Sequence, residues 1–258
     1  ILDLIGPLIL VTLVSISDDL FKISRLVRIS AHLAASILFI YSLSMGYSLF
    51  LYLIITGIFV WVINLYNFMD GSDGLAGGMA VIGFGSYSIA SLINGDLTFF
   101  VINNIISFSA LAFLLFNFSP AKIFLGDAGS ISIGFLAASI GLVGINEHIW
   151  PIWFPLFIFS PFIVDSTHVL FRRAVSKEKI FDAHNTHSYQ RLVQITNHKI
   201  TASYAYILMI FISAVSIYSI NSKINVVLLL SAALIFIYSF ILVYISRRWK
   251  NNHLKIIK

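Results

Sequence analysis

Aspartate side chains gather in four short motifs whose residue types and spacing suit metal and phosphate chemistry. The motifs are SISDDLF, NLYNFMDGSDGLAGG, FLGDAGS and FDAHNTHSYQRL. Magnesium prefers oxygen ligands and is commonly held by one or two carboxylates together with substrate phosphates. These motifs therefore predict a Mg²⁺ site, with Mn²⁺ as an alternative occupant. Zinc fits poorly, because the chain has no cysteine and the motifs hold only two histidines.

The second motif has a regular spacing of polar residues. They recur at every third position, as Asn64, Asn67, Asp70 and Asp73. In a helix this spacing would place them along one slowly drifting face. Gly71 and Gly74 predict that the helix breaks there, which would let the backbone approach a ligand closely. A new helix start near Leu75 would offer free N–H groups to a phosphate.

The fourth motif adds His184 and His187 to the aspartates. Both stand among basic residues, and imidazoles in such a setting suit phosphate contacts or proton transfer.

Each motif also has a simpler interpretation. Asp18 and Asp19 would serve equally as a solvated pair after a helix, and Asp70 with Asp73 as turn residues. Asp127 would cap a helix that starts near Ser130. Asp165 lies inside an apolar run, where an ion pair with a nearby arginine is as reasonable as a catalytic task.

The elements that position these residues must be membrane helices. Hydrophobic residues make up 59% of the chain, charged residues 10%, and the mean hydropathy is +0.96, which is typical of a membrane protein. Nine runs are long enough to span a bilayer. They lie near 1–16, 31–46, 49–66, 75–93, 98–118, 129–145, 149–170, 203–220 and 225–245. The sequence predicts an all-α, polytopic membrane helix bundle that forms one domain over residues 1–258.

Charge distribution predicts the orientation of this bundle. If nine spans alternate, every lysine and arginine except Lys223 falls on one side, which is 15 of the 16. Cytoplasmic loops retain basic residues, so this side and the C-terminus are predicted to be cytoplasmic. Eight of the 11 acidic residues lie on the same face. Topology does not require that, and carboxylates at a membrane edge favour a functional cleft.

The motifs NLYNFMDGSDGLAGG and FLGDAGS, with the paired Asp18 and Asp19, resemble the polyprenyl-phosphate N-acetylhexosamine-1-phosphate transferases. The similarity extends over most of the chain. It implies an enzyme of the bacterial inner membrane that acts on a UDP-N-acetylhexosamine and a polyprenyl phosphate lipid, with magnesium and without a nucleic-acid partner. A homodimer is one assembly that the sequence leaves open.

The resemblance also implies roles for individual residues. Asp18 and Asp19 correspond to a catalytic pair at the lipid-phosphate end of the site, and Asp127 to the magnesium-ligating aspartate. The residues that resemble those shaping the metal and nucleotide site are Asn67, Asp70 and Asp73, with Gly71 and Asp73 near the uracil. Asn117 and Phe124 match the positions of uridine contacts. Asn64, on the same predicted face, is a further candidate for substrate binding.

The loop DAHNTHSYQRL departs from the peptidoglycan branch of this superfamily, which has three consecutive histidines. His184 and His187, with Tyr189 and Gln190, are similar to the branch that initiates O-antigen and related polysaccharides. The muramoyl-pentapeptide transferase of peptidoglycan synthesis is the alternative. The family's N-terminal helices have no counterpart in these 258 residues, so we expect eleven spans in a full-length protein. The sequence leaves two further interpretations of the function open: a cation- or proton-coupled transporter and an inactive homologue.

Overall fold

The computed structural model describes residues 2–178 and 186–256, with side chains up to residue 252, and its regular structure is entirely α-helical. The helices in these ranges are α1 (Leu2–Phe21), α2 (Arg25–Ser42), α3 (Leu49–Phe68), α4 (Leu75–Ile93), α5 (Leu97–Asn117), α6 (Gly126–Asn146), α7 (Trp153–Ile158), α8 (Ser160–Val175), α9 (Ser188–Ile195), α10 (His198–Tyr218) and α11 (Ile224–Ile256). The predicted all-α class is confirmed.

Among the described residues, seven helices are long and apolar enough to cross a membrane: α1, α3, α4, α5, α6, α10 and α11. They coincide with seven of the predicted spans, which confirms a polytopic membrane protein. The other two predicted spans are largely helical as well, but neither is a single helix of that length and hydropathy. Helix α2 carries Arg25, Arg28 and His32 in its first two turns, which lowers its hydropathy. The run 149–170 is divided at Phe159 into α7 and α8, because Pro161 is tolerated only in the first turn of a new helix.

Helix α2 nevertheless extends along the height of the bundle. Arg28, near its start, contacts Asp18 near the end of α1. Leu43, just after its end, packs in the same cluster as Leu4 and Leu8 at the start of α1. The two helices are therefore antiparallel, and 18 residues of α2 span about 27 Å at 1.5 Å per residue. Because α2 runs back along α1, α3 starts at the end of the bundle where α1 also starts.

Two apolar clusters hold the helices together. In the first, Phe39, Phe59 and Phe135 join α2, α3 and α6, with ring centroids 5.9 to 6.2 Å apart. The second surrounds α4, where Tyr87 stacks on Trp150 at 4.6 Å. Helix α4 is the most enclosed of the seven long apolar helices, with 67% of its membrane-length window buried, whereas α11 is peripheral at 11%.

Helix ends and starts meet on one face of the bundle, which we call the aspartate face. The ends of α1 and α3 and the starts of α2 and α6 are joined there by side-chain contacts. The end of α5 meets the start of α4 through Asn117 and Gly74. Asp18 and Asp127, which are far apart in the chain, therefore lie together at one end of the molecule.

Candidate active site

Four side chains from four helices form what we call the Arg28 cluster: Asp18, Arg28, Asn67 and Asp127. Arg28 Nη1 donates to Asp18 Oδ2 at 2.7 Å and to Asp127 Oδ2 at 2.9 Å. Asn67 Nδ2 donates to the other oxygen of Asp127, Oδ1, at 2.8 Å. The Asp18 side chain is only 12% exposed, which argues against an ordinary solvated residue. Charge-assisted bonds between partly buried groups fix these carboxylates in place.

Asp19 has a different task from its neighbour Asp18. Its Oδ1 and Oδ2 accept from the backbone N–H groups of Asp127 and Ala128, both at 3.1 Å. A carboxylate at a helix N-terminus is stabilised by these free N–H groups and by the helix dipole. Asp19 therefore holds the first turn of α6 beside α1. A Cβ at Gly126, where φ is +63°, would lie 2.8 Å from Asp19 Oδ2.

Asp127 lies within the first turn of α6, whose N-cap position is Leu125 without a side-chain cap. The alternative that Asp127 merely caps this helix is therefore wrong. Its two oxygens face Arg28 and Asn67 across the aspartate face.

Asp70 follows α3 and lies close enough to Asp127 for the two charges to interact. Burial, together with the negative charge of Asp127, raises the pKa of the Asp70 carboxyl to about 7. Within residues 2–178 and 186–252, we find no hydrogen-bond donor on its oxygens. A cation bound between Asp70 and Asp127 would relieve their repulsion.

Asp73 turns to the other side of the 70–74 turn, towards α10. Its Oδ2 accepts from the backbone N–H of Ala121 at 3.1 Å, and its Oδ1 is 3.8 Å from His198 Nδ1. The Ser72 hydroxyl is 3.0 Å from the same imidazole nitrogen. These contacts tie the 70–74 turn to the 118–125 loop and to the first residue of α10.

Asn117 uses its amide for backbone groups. Its Oδ1 accepts from Gly74 N at 3.0 Å, and its Nδ2 donates to Ile123 O at 2.9 Å. The side chain is 2% exposed. Asn117 thus connects the start of α4 to the loop that carries Phe124, whose ring is 70% exposed and available for contact.

Gly71 lies under helix α9. A Cβ at this position would overlap the Tyr189 hydroxyl and would approach Gln190 Nε2 at 3.3 Å. The same hydroxyl donates to Phe68 O at 2.9 Å. Only a residue without a side chain allows α9 to come this close to the end of α3.

Helix α9 begins at Ser188, and His187 of the predicted histidine loop is its N-cap residue. The His187 ring is buried, with its centroid 6.2 Å from Phe68 and 5.8 Å from Tyr189. Asp165 Oδ1 and Oδ2 accept from the backbone N–H groups of Ser188 and Tyr189 at 2.8 and 3.1 Å. Asp165 therefore anchors the start of α9. His184 lies in 179–185, outside the described residues.

Asn64 lies one turn before Asn67 on α3. Its Nδ2 donates to Val60 O at 2.7 Å and is 3.3 Å from His32 Nδ1. These contacts place Asn64 between α2 and α3, beneath the Arg28 cluster.

The three-aspartate metal set expected from the sequence does not converge. In the described ranges, no group of three or more histidine and acidic side chains is arranged to hold a metal ion. The two aspartates have different surroundings: Asp73 accepts from Ala121 N, whereas the charge of Asp127 contributes to the raised pKa of Asp70. A pair of carboxylates fits Mg²⁺, which keeps several waters and takes its remaining ligands from phosphates.

Two residues of the aspartate face, Arg28 and His198, were not predicted from the sequence. Arg28 counted only as one of many basic residues, although it is the sole bridge that the structure shows between Asp18 and Asp127. Its separation of ten residues from Asp18 gives no periodic signal. His198 begins α10, far in sequence from the turn that it contacts.

The fold and site define a class: a helical membrane protein whose carboxylates, arginine and asparagine converge at one end of the helix bundle. The family model described as glycosyl transferase family 4 matches residues 1–145 of the 258. The chain belongs to this family, which confirms the resemblance drawn from the motifs. The matched region contains the whole Arg28 cluster and ends before α9.

Two relatives show the range of the similarity. A Bacillus subtilis (strain 168) protein described as a probable undecaprenyl-phosphate N-acetylglucosaminyl 1-phosphate transferase is 31% identical over 155 residues, which cover 58% of this chain and 43% of that protein. A Staphylococcus aureus (strain JH9) phospho-N-acetylmuramoyl-pentapeptide-transferase is 33% identical over 140 residues, covering 53% and 42%. The chain therefore spans under half the length of these relatives.

Proposed function

We propose that this chain is part of an enzyme that transfers N-acetylhexosamine 1-phosphate from a UDP-sugar to a polyprenyl phosphate. The products would be a lipid diphosphate sugar and UMP. The observation that carries the proposal is the Arg28 cluster, in which a guanidinium bridges Asp18 and Asp127 at 2.7 and 2.9 Å at one end of a membrane bundle. The names of the relatives in both branches agree with this reaction class.

The reaction is a displacement at phosphorus. An oxygen of the lipid phosphate attacks the β-phosphorus of the UDP-sugar and forms a new P–O bond. The bond from that phosphorus to the oxygen that bridges the two phosphates breaks, and UMP leaves with this oxygen. Because both partners are phosphates, positioning and charge neutralisation supply most of the catalysis.

The chain's own residues would divide this work. Arg28, freed from one carboxylate, offers a planar pair of donors to phosphate oxygens. Asp18 takes the proton of the lipid phosphate where that group arrives protonated, and Asp19 keeps α6 in register. Asp127 and Asp70 would hold Mg²⁺, which offsets charge on the pyrophosphate and on the leaving group.

We favour a single displacement over a phospho-aspartate intermediate. The lipid phosphate is already an anionic nucleophile, so a covalent enzyme intermediate adds a step without a chemical need. A labelled phospho-aspartate formed on incubation with UDP-sugar alone would contradict this preference.

We infer the donor sugar, and with it the branch of the family, from the residues around α9. His187, Tyr189 and Gln190 favour initiation of O-antigen or a related surface polysaccharide, with N-acetylglucosamine, N-acetylfucosamine or N-acetylquinovosamine as donors. Transfer of phospho-N-acetylmuramoyl-pentapeptide is the second candidate, since one relative carries that name.

We place the aspartate face in the cytoplasm and the bundle, as one domain, in the bacterial inner membrane. Basic residues concentrate at this face, as cytoplasmic segments do, and UDP-sugars are cytoplasmic donors. The transport alternative is less well supported, because it predicts acidic residues along a pathway near the bilayer midplane, whereas Asp18 and Asp127 are joined at helix ends.

The test is UMP release by the full-length protein with undecaprenyl phosphate, Mg²⁺ and a panel of UDP-N-acetylhexosamines, including the muramoyl-pentapeptide donor. We expect UMP with at least one donor, only when the lipid phosphate is present, and the preferred donor decides the branch. Absence of UMP with every donor, from a protein that is folded and binds Mg²⁺, would refute the proposed reaction.

A further inference from the structure

Helix α11 continues beyond its apolar stretch into a basic segment that reaches the aspartate face. This segment contains Arg247, Arg248, Trp249 and Lys250. Only 11% of the apolar window of α11 is buried, so the helix lies at the edge of the bundle. Its basic segment extends past this window and contacts α9.

Trp249 makes two polar contacts with α9. Its Nε1 donates to Gln194 Oε1 at 2.6 Å, and the Arg191 guanidinium lies over its indole ring, with Cζ 4.7 Å from the ring centroid. An arginine over a tryptophan face combines cation–π attraction with planar stacking. Arg191 is the fourth of the eight residues of α9, and Gln194 lies in its last turn.

Helix α9 needs such contacts, because it has only eight residues. An isolated helix of this length is not stable in water. Its start is held by Asp165 at Ser188 N and Tyr189 N, and its middle and last turn by Trp249. Between these anchors, Tyr189 reaches Phe68 O and contacts the position of Gly71, directly beside Asp70.

We propose that Trp249 is a positioning residue of the transferase site: by holding Arg191 and Gln194, it sets α9 against the 68–71 segment and so shapes the side of the site that takes the UDP-sugar. This inference rests on the proposed function. It assigns the C-terminal segment, which lies outside the region matched by the family model, a part in substrate binding rather than membrane anchoring alone.

The test compares Trp249→Ala, Trp249→Phe and Arg248→Ala in the full-length protein. Arg248 is a matched control, because its guanidinium stacks on Tyr244 of α11 itself at 5.7 Å. We expect Trp249→Ala to raise the KM for UDP-sugar about tenfold without a matching loss of kcat, since one hydrogen bond and one stacked pair are removed. Trp249→Phe keeps a ring for Arg191 and should recover part of the change, and Arg248→Ala should match the parent.

A second measurement does not depend on activity. Amide hydrogen exchange of the α9 residues should be faster in Trp249→Ala than in the parent and in Arg248→Ala, because a helix released at one end opens more often. Unchanged exchange in Trp249→Ala would overturn the contact, and faster exchange with an unchanged KM would overturn the positioning role. If the parent released no UMP, the proposed reaction would fail, while the exchange experiment would still decide whether Trp249 holds α9.

Discussion

The Arg28 cluster and the surroundings of the 70–74 turn use the same types of residue, aspartate and asparagine, but their side chains bond to different kinds of partner. In the Arg28 cluster, Asp18 and Asp127 bond to other side chains, above all to a shared guanidinium. Around the turn, Asp73, Asn117 and Asp165 bond to backbone N–H groups. Carboxylates that bind backbone groups support the fold, whereas, under the proposed function, carboxylates bound to a side-chain cation exchange it for a metal ion.

This contrast divides the site residues into two groups with different expected phenotypes. Substitutions in the Arg28 cluster should remove activity and leave the fold intact. Substitutions among the backbone-bound residues should loosen the structure first and reduce activity as a consequence.

The largest effect is expected for Asp127→Asn. The amide preserves the shape of the side chain but removes the charge that binds Arg28 and would bind Mg²⁺. Loss of a central charged group in a phosphoryl-transfer site costs about 10³-fold in kcat. UMP release gives the rate, and the melting temperature in detergent should remain at the parent value. A variant that keeps its activity would remove Asp127 from the catalytic centre.

The second largest effect is expected for Arg28→Ala, with a kcat/KM about 10²-fold lower than in the parent. In this variant two carboxylates lose their shared partner, and phosphate loses a bidentate donor. Arg28→Lys should regain only part of this loss, since an ammonium is a point charge without the planar fork. Full recovery in the lysine variant would show that charge alone matters. Phosphate inhibition, measured alongside the rate, reports whether anion binding has weakened.

The pH dependence of metal binding tests whether Asp70, unlike Asp73, is a metal ligand. The pKa of Asp70 is raised to about 7 by burial and by the charge of Asp127, so this carboxyl is protonated below that pH in the metal-free protein. Mg²⁺ must displace the proton. We expect binding about tenfold weaker at pH 6 than at pH 8, following a one-proton linkage. Asp70→Asn should bind weakly at both values, and an unchanged pH dependence in that variant would contradict the assignment.

The smallest effect on chemistry is expected for Asn117→Ala. The substitution leaves Gly74 N and Ile123 O without their partner, and an unsatisfied buried group costs about 1–3 kcal/mol. A lower melting temperature with a nearly normal KM for UDP-sugar would support the scaffold role. The reverse result, a normal melting temperature with a raised KM, would show that Asn117 contacts the nucleotide directly.

Much of the fold was predictable from the sequence, because hydropathy and length report membrane helices directly. Two of the predicted spans are not single long apolar helices, for physical reasons: α2 carries charged residues near its start, and Pro161 divides the run 149–170 into two helices. Packing against α1 and α3 compensates for these residues.

The candidate site was predictable as a set of aspartates at one face but not as a network. Spacing of three residues suggested that Asp70 and Asp73 act together, yet they have different surroundings: Asp73 accepts from Ala121 N, and Asp70 is affected by the charge of Asp127. Arg28 and His198 could not be chosen among other basic residues, because their partners lie far away in sequence. Long-range contacts of this kind leave no periodic pattern in a single sequence.

The most direct test of the account is Mn²⁺ binding to the full-length protein by electron paramagnetic resonance, with Mn²⁺ in place of Mg²⁺, in the parent and in Asp127→Asn, Asp70→Asn and Asp73→Asn. We expect Asp127→Asn and Asp70→Asn to lose most of the bound signal and Asp73→Asn to bind Mn²⁺ like the parent. Loss of binding in Asp73→Asn with retention in Asp70→Asn would contradict it, because the metal would then lie on the other side of the 70–74 turn.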